Sequence, residues 1–234
     1  STLRIRASYK DIFRVPTFTD LYYLRMGNTN LKPEETSQYN VGVTWSSSCG
    51  DWLRHFSISA DGYYNTVKDK IVALPTMYVW KMMNMGEVDI KGVDVNLSTQ
   101  FRLPLRMSLL LASTYSFQYA VDVTDPEAKN YKDQIPYTPR HSGTVSVTVE
   151  NPWVNVSYIL TAVGDRYALP QNIDRNRIDS YIEQSISINR DFRFRYFGLR
   201  LQGELLNLAN VNYDVIQYYP MPGRSWRLSI CLSY

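Results

Sequence analysis

The sequence predicts an all-β protein, about ten antiparallel strands belonging to an up-and-down transmembrane β-barrel. Three observations carry that prediction. Apolar and polar residues alternate with a period of two along most of the chain. Connections alternate between short and long, and aromatic residues close many of the apolar stripes. A strand sends successive side chains to opposite faces, so each stripe has a greasy side for lipid and a small polar side for a lumen.

The stripes follow one another in order. Leu3, Ile5, Ala7 and Tyr9 alternate with Arg4, Arg6 and Ser8. Tyr39, Val41, Val43 and Trp45 come next, then Phe56, Ile58, Ala60, Gly62 and Tyr64. Val93, Val95, Leu97, Thr99 and Phe101 face away from Asp94, Asn96, Ser98 and Gln100. Leu105, Met107, Leu109, Leu111, Ser113, Tyr115 and Phe117 make a longer stripe. Val145, Val147 and Val149 turn into Val154, Val156, Tyr158 and Leu160. Ile182, Ile186 and Ile188 are interrupted by Gln184, and Leu199, Leu201 and Leu205 oppose Arg200, Gln202 and Glu204. Trp226, Leu228, Ile230, Leu232 and Tyr234 form the last stripe. Many of these segments approach the roughly 9–11 residues that a tilted strand needs to cross a bilayer.

Short turns are expected at 46–51, 102–105, 150–153 and 189–192, and long polar loops at 11–34, 74–88, 119–139, 163–176 and 209–223. If the last strand ends on the periplasmic side, every short turn falls inside and every long loop outside. A soluble sandwich has no reason to segregate its loops in this way. Tyr9, Trp45, Tyr64, Phe101, Phe117, Trp226 and Tyr234 stand where aromatic girdles would meet the headgroups.

Composition narrows the function classes. The net charge of +3 is too balanced for a nucleic-acid footprint. Mean hydropathy is −0.30, and no run of about 18 apolar residues suggests a membrane helix. Cys49 and Cys231 have no metal-ligand spacing around them and read as unpaired. No cofactor or metal is expected.

Five segments carry a resemblance. "FRVPTFTDLYY" (13–23) and "GNTNLKPEETSQYNVGV" (27–43) resemble the FR-x-P and N-x-x-LKPE boxes of TonB-dependent outer-membrane receptors. "NMGEVDIKGVDVNLS" (84–98) is similar to their N-x-G…GV-D/E strand opening, and "YTPRHSGTVSV" (137–147) to their P-x-x-P-R-H segment. "LLNLANVNYDVIQYYPMPGRSWRLSI" (205–230) resembles their N-L-x-N-x-x-Y…PGR ending. The matches run in family order along nearly the whole chain. They imply a barrel of about 22 strands around an N-terminal plug. Residues 1–234 would be its C-terminal part, with the plug and earlier strands lying outside this sequence. The resemblance implies outer-membrane lipid as surroundings, the TonB complex acting through the plug, and uptake of a scarce bulky nutrient such as cobalamin or a ferric siderophore. Haem is disfavoured, because "TFTDLYYLRMG" (17–27) holds no histidine between the first two boxes. Residues 225–234 are expected to pair with a strand outside this chain rather than with residues 3–9, since an open edge cannot stay unpaired in lipid.

The outer loops are where ligand selection is expected. Tyr22, Tyr23, Arg25, Tyr78, Trp80, Tyr131, Arg166, Tyr167, Tyr218 and Tyr219 are the candidates, the rings for contact area and the arginines for anionic groups. Arg6, Asp61, Asp94, Arg106, Asp179, Glu183, Arg200, Glu204 and Arg227 are expected on the lumen side, pairing with one another and with a plug. The alternative is a self-contained ten-stranded barrel acting as a protease, lipase or adhesin. Its weakness as an enzyme is that His141 and Ser142 are adjacent on a strand and point to opposite faces, with only Asp133 and Asp174 loosely available as acids.

Overall fold

The computed structural model describes residues 1–233, apart from the side chain of Pro75. Tyr234, expected at the end of the last stripe, lies outside the described residues. The chain forms β1 (Thr2–Arg14), the short helix α1 (Phe18–Tyr22), β2 (Glu34–Cys49), β3 (Leu53–Pro75), β4 (Trp80–Leu103) and β5 (Met107–Asp122). It continues with β6 (His141–Glu150), β7 (Asn155–Val163), β8 (Arg166–Tyr167), β9 (Arg177–Ile178) and β10 (Tyr181–Arg193). β11 (Gly198–Leu206), β12 (Asp214–Ile216), β13 (Tyr219–Pro220) and β14 (Ser225–Ser233) complete it. Ten of these make one sheet in the order β1-β2-β3-β4-β5-β6-β7-β10-β11-β14, each antiparallel to its neighbour. β8 with β9 and β12 with β13 are two-stranded ribbons inside loops.

The register turns the alternation into two faces. Arg4, Thr44, Ser59, Asn96, Thr114, Thr144, Thr161 and Glu183 stand side by side in one row across eight strands. One residue along, Leu3, Trp45, Ile58, Leu97, Ser113, Val145, Leu160 and Gln184 form a row on the opposite face. The first row is polar, the second mostly apolar, as a barrel wall requires. The apolar face is uncovered: Ile5 is 72% exposed and Ile230 64%. So much contiguous apolar surface marks a face built to meet a membrane or another protein.

The core is correspondingly small. Val67, Met85, Val88, Ile90, Ala120 and Ile135 are buried together. Register parity puts Val88 and Ile90 on the same inner face as Asn96, so this cluster lies where the 123–140 loop folds over the mouth. Ile135 enters by continuing the ladder beside β5, its N–H donating to Ala120 O at 3.0 Å.

The sheet corrects three expectations. The 74–88 loop is instead a projecting hairpin, because β3 and β4 run for 23 and 24 residues. Only Thr76–Val79 turn, closed by Thr76 N–H donating to Val79 O at 2.8 Å. The turn expected at 189–192 lies further on, at 194–197. Phe194 N–H donates to Phe197 O at 2.9 Å, and the two rings stack with centroids 4.6 Å apart. Leu105 and Arg106 belong to neither stripe nor lumen: both are left-handed, φ 60° and 61°, in the turn before β5.

Among the described residues β1 pairs only with β2 and β14 only with β11, so the sheet is open at both edges. Residues 225–233 make no ladder with residues 3–9.

Candidate functional site

The long connections gather at one end of the sheet, and the five motif segments tie them to one another. Arg14, closing β1, stands 3.2 Å from Asp20 and 3.6 Å from Glu34. Asp20 and Thr17 form a capping box at α1: Thr17 N–H donates to Asp20 Oδ2 at 2.9 Å and Asp20 N–H to Thr17 Oγ1 at 3.2 Å. The Thr17 amide, seconded by the Thr17 hydroxyl and Arg14, holds the Asp20 carboxyl below the usual carboxylate range against the opposing effect of burial. Glu34 in turn accepts from Ile71 N–H at 3.1 Å.

Asn84 bolts the 15–33 loop to the projecting hairpin. Its amide donates to Lys32 O at 3.0 Å and to Asp69 O at 2.7 Å, and its oxygen accepts from Lys32 N–H at 2.8 Å. Nearby, Asn28 donates to Met82 O at 3.1 Å. On the neighbouring loop, Asp122 accepts from Thr124 N–H at 2.9 Å and from Asn130 at 2.9 Å. A hollow of about 290 Å³ opens here between Asn84, Asp122, Thr124, Asn130, Tyr131 and Pro170.

A second knot joins the last two long loops. Arg166 is 3% exposed and donates to Asp214 O and, at 3.2 Å, to Val215 O. Its guanidinium lies 5.5 Å from the Tyr181 ring centre, and Tyr181 stacks on Tyr213 at 4.0 Å. Burial pulls the Arg166 guanidinium below the ordinary arginine value. Tyr213 donates to Glu183 Oε2 at 2.9 Å, and burial, with that bond, pushes its hydroxyl up to about 12. Burial also raises Tyr137, whose ring packs on Trp80 at 5.8 Å. Asn207, left-handed at φ 50° and 2% exposed, bridges Val211 and Pro222 with its side chain.

The predicted ligand residues divide accordingly. Tyr22 with Tyr23, Tyr78, and Tyr218 with Tyr219 are exposed on three separate connections, Tyr78 at the hairpin tip. Arg25 is exposed at a left-handed position, φ 67°. Trp80, Tyr131 and Tyr167 are half-buried. Arg166 stands apart from them, clamped on backbone carbonyls rather than presented to solvent. Residue patterns missed Tyr137, Tyr181 and Tyr213, which gather around Arg166, and also Asn207, which braces its own loop. Three of the four lie in segments that resembled the family, but the contacts of the tyrosines join segments far apart in sequence.

Among the charges expected on the inner wall, Arg6 pairs with Asp61 at 2.7 Å, Arg200 with Asp191 at 2.5 Å and Arg227 with Glu204. Asp94 accepts from Ser116 at 2.5 Å. Asp179 lies in the outer connection, 3.6 Å from Arg177. His141 and Ser142 do face opposite ways. His141 shares a 2.8 Å bond with the Tyr115 hydroxyl on the apolar face, while Ser142 aligns with Ser116 on the polar one. Asp133 is occupied by Asn172 N–H at 3.1 Å, and Asp174 opens a short 3-10 turn.

Comparison with known proteins converges on one architecture. The chain is 27% identical over 236 residues to the vitamin B12 transporter BtuB of Photobacterium profundum, covering 97% of this chain and 34% of that protein. It therefore spans about a third of the length of the curated relatives it matches. Among solved structures, the ferric citrate transporter FecA superposes with a TM-score of 0.72 at 12% identity, over 98% of this chain and 36% of that one. The ferric preacinetobactin receptor BauA from Acinetobacter baumannii gives 0.69 at 13% identity, over 99% and 34%. These structures share the fold of this antiparallel wall. The family described as "TonB dependent receptor-like, beta-barrel" matches residues 1–208, and the chain belongs to that family.

Proposed function

We propose that this chain is the C-terminal part of the barrel of an outer-membrane receptor that imports a scarce, bulky nutrient, driven by TonB through a plug on the same polypeptide. The observation that carries the reading is the mouth. The long connections meet at one end of a two-faced wall, braced to one another by Asn84 and Arg166 and, within the last loop, by Asn207, while aromatic side chains remain exposed on their tips. Rigid loops presenting aromatic surface suit capture of a large ligand at low entropic cost. The open edges of β1 and β14 would then pair with the strands that precede this segment, and the paired charges of the inner wall would meet the plug. The short turns would face the periplasm.

Cobalamin is the first ligand to test, because the vitamin B12 transporter is similar along 97% of this chain. Ferric siderophores come second. A strain lacking the full-length receptor should lose growth on limiting cyanocobalamin and regain it when the gene is restored. Replacing Tyr22, Tyr23 and Trp80 together by Ala should then weaken binding of cyanocobalamin to whole cells without reducing the amount of receptor at the surface. Unchanged growth with cobalamin, and with a panel of ferric siderophores, would overturn the uptake reading.

A further inference from the structure

On the apolar face, β11 carries Leu199, Leu201, Gly203 and Leu205 in one stripe. Gly203 is aligned with Ile188 of β10 and Leu228 of β14. A Cβ at Gly203 would meet nothing within 4 Å. Gly203 lies on the floor of an apolar hollow of about 600 Å³, walled by Val154, Ile186, Ile188, Leu205, Trp226 and Leu228. It lies towards the short-turn end of the wall, with Val154 of the β6–β7 connection in its lining and the rows Arg190–Leu201–Ile230 and Ile186–Leu205–Trp226 on either side.

One end of this hollow is charged. Arg190 lines it and is aligned with Leu201, so it lies on the apolar face, unlike its neighbour Asp191. Asp191 is committed to Arg200 on the other face, at 2.5 and 2.9 Å. Among the described residues no carboxylate stands within ion-pair distance of Arg190. Its guanidinium lies 4.8 Å from the centre of the Phe192 ring, one step nearer the 194–197 turn. A cation on a lipid-facing surface is unfavourable at the midplane and tolerable near the headgroups, towards which long side chains lean. Arg190 leans that way, and the turn beyond it offers Arg195 and an 80%-exposed Tyr196.

We propose that this groove seats one phospholipid of the leaflet at the short-turn end, its phosphate on Arg190 and one acyl chain laid over Gly203. This rests on the membrane-barrel reading above. Charge complementarity selects the occupant. The site is long and almost wholly apolar, it ends in one unpaired guanidinium at headgroup level, and guanidinium matches phosphate oxygens in a bidentate pair. A sugar-rich lipid would find almost no polar lining beyond that single charge.

Native mass spectrometry of the full-length receptor in non-ionic detergent tests the proposal. The probes are palmitoyl-oleoyl phosphatidylglycerol and the diacylglycerol with the same chains. One phosphatidylglycerol should stay bound to the native protein and diacylglycerol should not. Arg190→Gln should lower occupancy roughly tenfold, the loss of one charge-assisted pair, and Arg190→Lys should restore part of it. Gly203→Leu should weaken retention by obstructing the acyl chain where it crosses Gly203, with Gly203→Ala intermediate. Equal retention by native protein and Arg190→Gln, or equal binding of diacylglycerol, would overturn the proposal. Assembly is read separately from heat-modifiable migration and resistance to urea extraction from membranes. Loss of both in the native protein would instead overturn the barrel reading.

Discussion

Arg6 reaches Asp61 across the backbone of Gly42, its Nη2 2.7 Å from Oδ1, bridging two strands that are not neighbours. The three residues stand in one row of the inner face. A Cβ on Gly42 would collide with the Asp61 carboxylate, so the glycine is what lets the pair close over β2. Both ends are partly exposed, and such a pair by itself contributes at most about 1 kcal/mol.

Gly42→Val should therefore cost more than the pair it breaks. Forcing a branched side chain under Asp61 is overpacking, worth about 1–3 kcal/mol, whereas Asp61→Asn should lose less. Urea unfolding of the receptor refolded into lipid vesicles measures both. Equal losses would mean that Gly42 matters only through the ion pair.

Val145 and Thr144 are adjacent on β6, at the same depth and on opposite faces. Val145→Arg should cost about 2–4 kcal/mol if it lies near the bilayer midplane, and Thr144→Arg far less. Folding into vesicles measured for both variants checks the assignment of faces, and a reversed order would invert it.

The mouth should loosen in alkali. The Tyr213 hydroxyl is pushed from 10.0 up to about 12 by burial and by its bond to Glu183. A group with a raised folded value contributes stability that is complete below pH 10.0 and is lost as pH rises through about 12. Hydrogen exchange at 207–224 should accelerate across that window together with phenolate absorbance. Tyr213→Phe should remove the pH dependence of the exchange.

Arg166→Ala should free the last two long loops from each other. Leaving the Asp214 and Val215 carbonyls without their donor costs about 1–3 kcal/mol, and limited proteolysis should cut the 209–223 segment faster. Arg166→Lys should rescue only partly, because an ammonium lacks the planar fork that serves both carbonyls.

Much of this architecture was legible in the alternation. Val145, Val147 and Val149 against Ser142, Thr144 and Ser146 fix both a strand and its faces. The far halves of β3 and β4 were not legible, because Lys68 and Lys70 are aligned with Glu87 and Met85 in the projecting hairpin, beyond the stretch where the wall keeps one polar and one apolar face. Asp69 is even left-handed there, φ 51°. The polar residues of 189–192 suggest a turn there, whereas the stacked rings of Phe194 and Phe197 mark where the chain reverses. Arg166 read as a free cation, since its partners lie 48 and 49 residues downstream and no local pattern announces them. The 84–98 motif segment lies within β4, and the asparagines of the motif segments, Asn28, Asn84 and Asn207, chiefly brace backbone.

Across the ten main strands, neighbours in space are always neighbours in sequence. The wall can therefore be laid down like courses of brick, each new hairpin docking on the one just placed and closing only a short stretch of chain. Excising one complete hairpin together with its connection would bring a strand of the same direction and facing to the same edge. The diameter would shrink while the inside stayed inside. Such a wall can be lengthened or shortened in steps of two strands without relearning which face is wet.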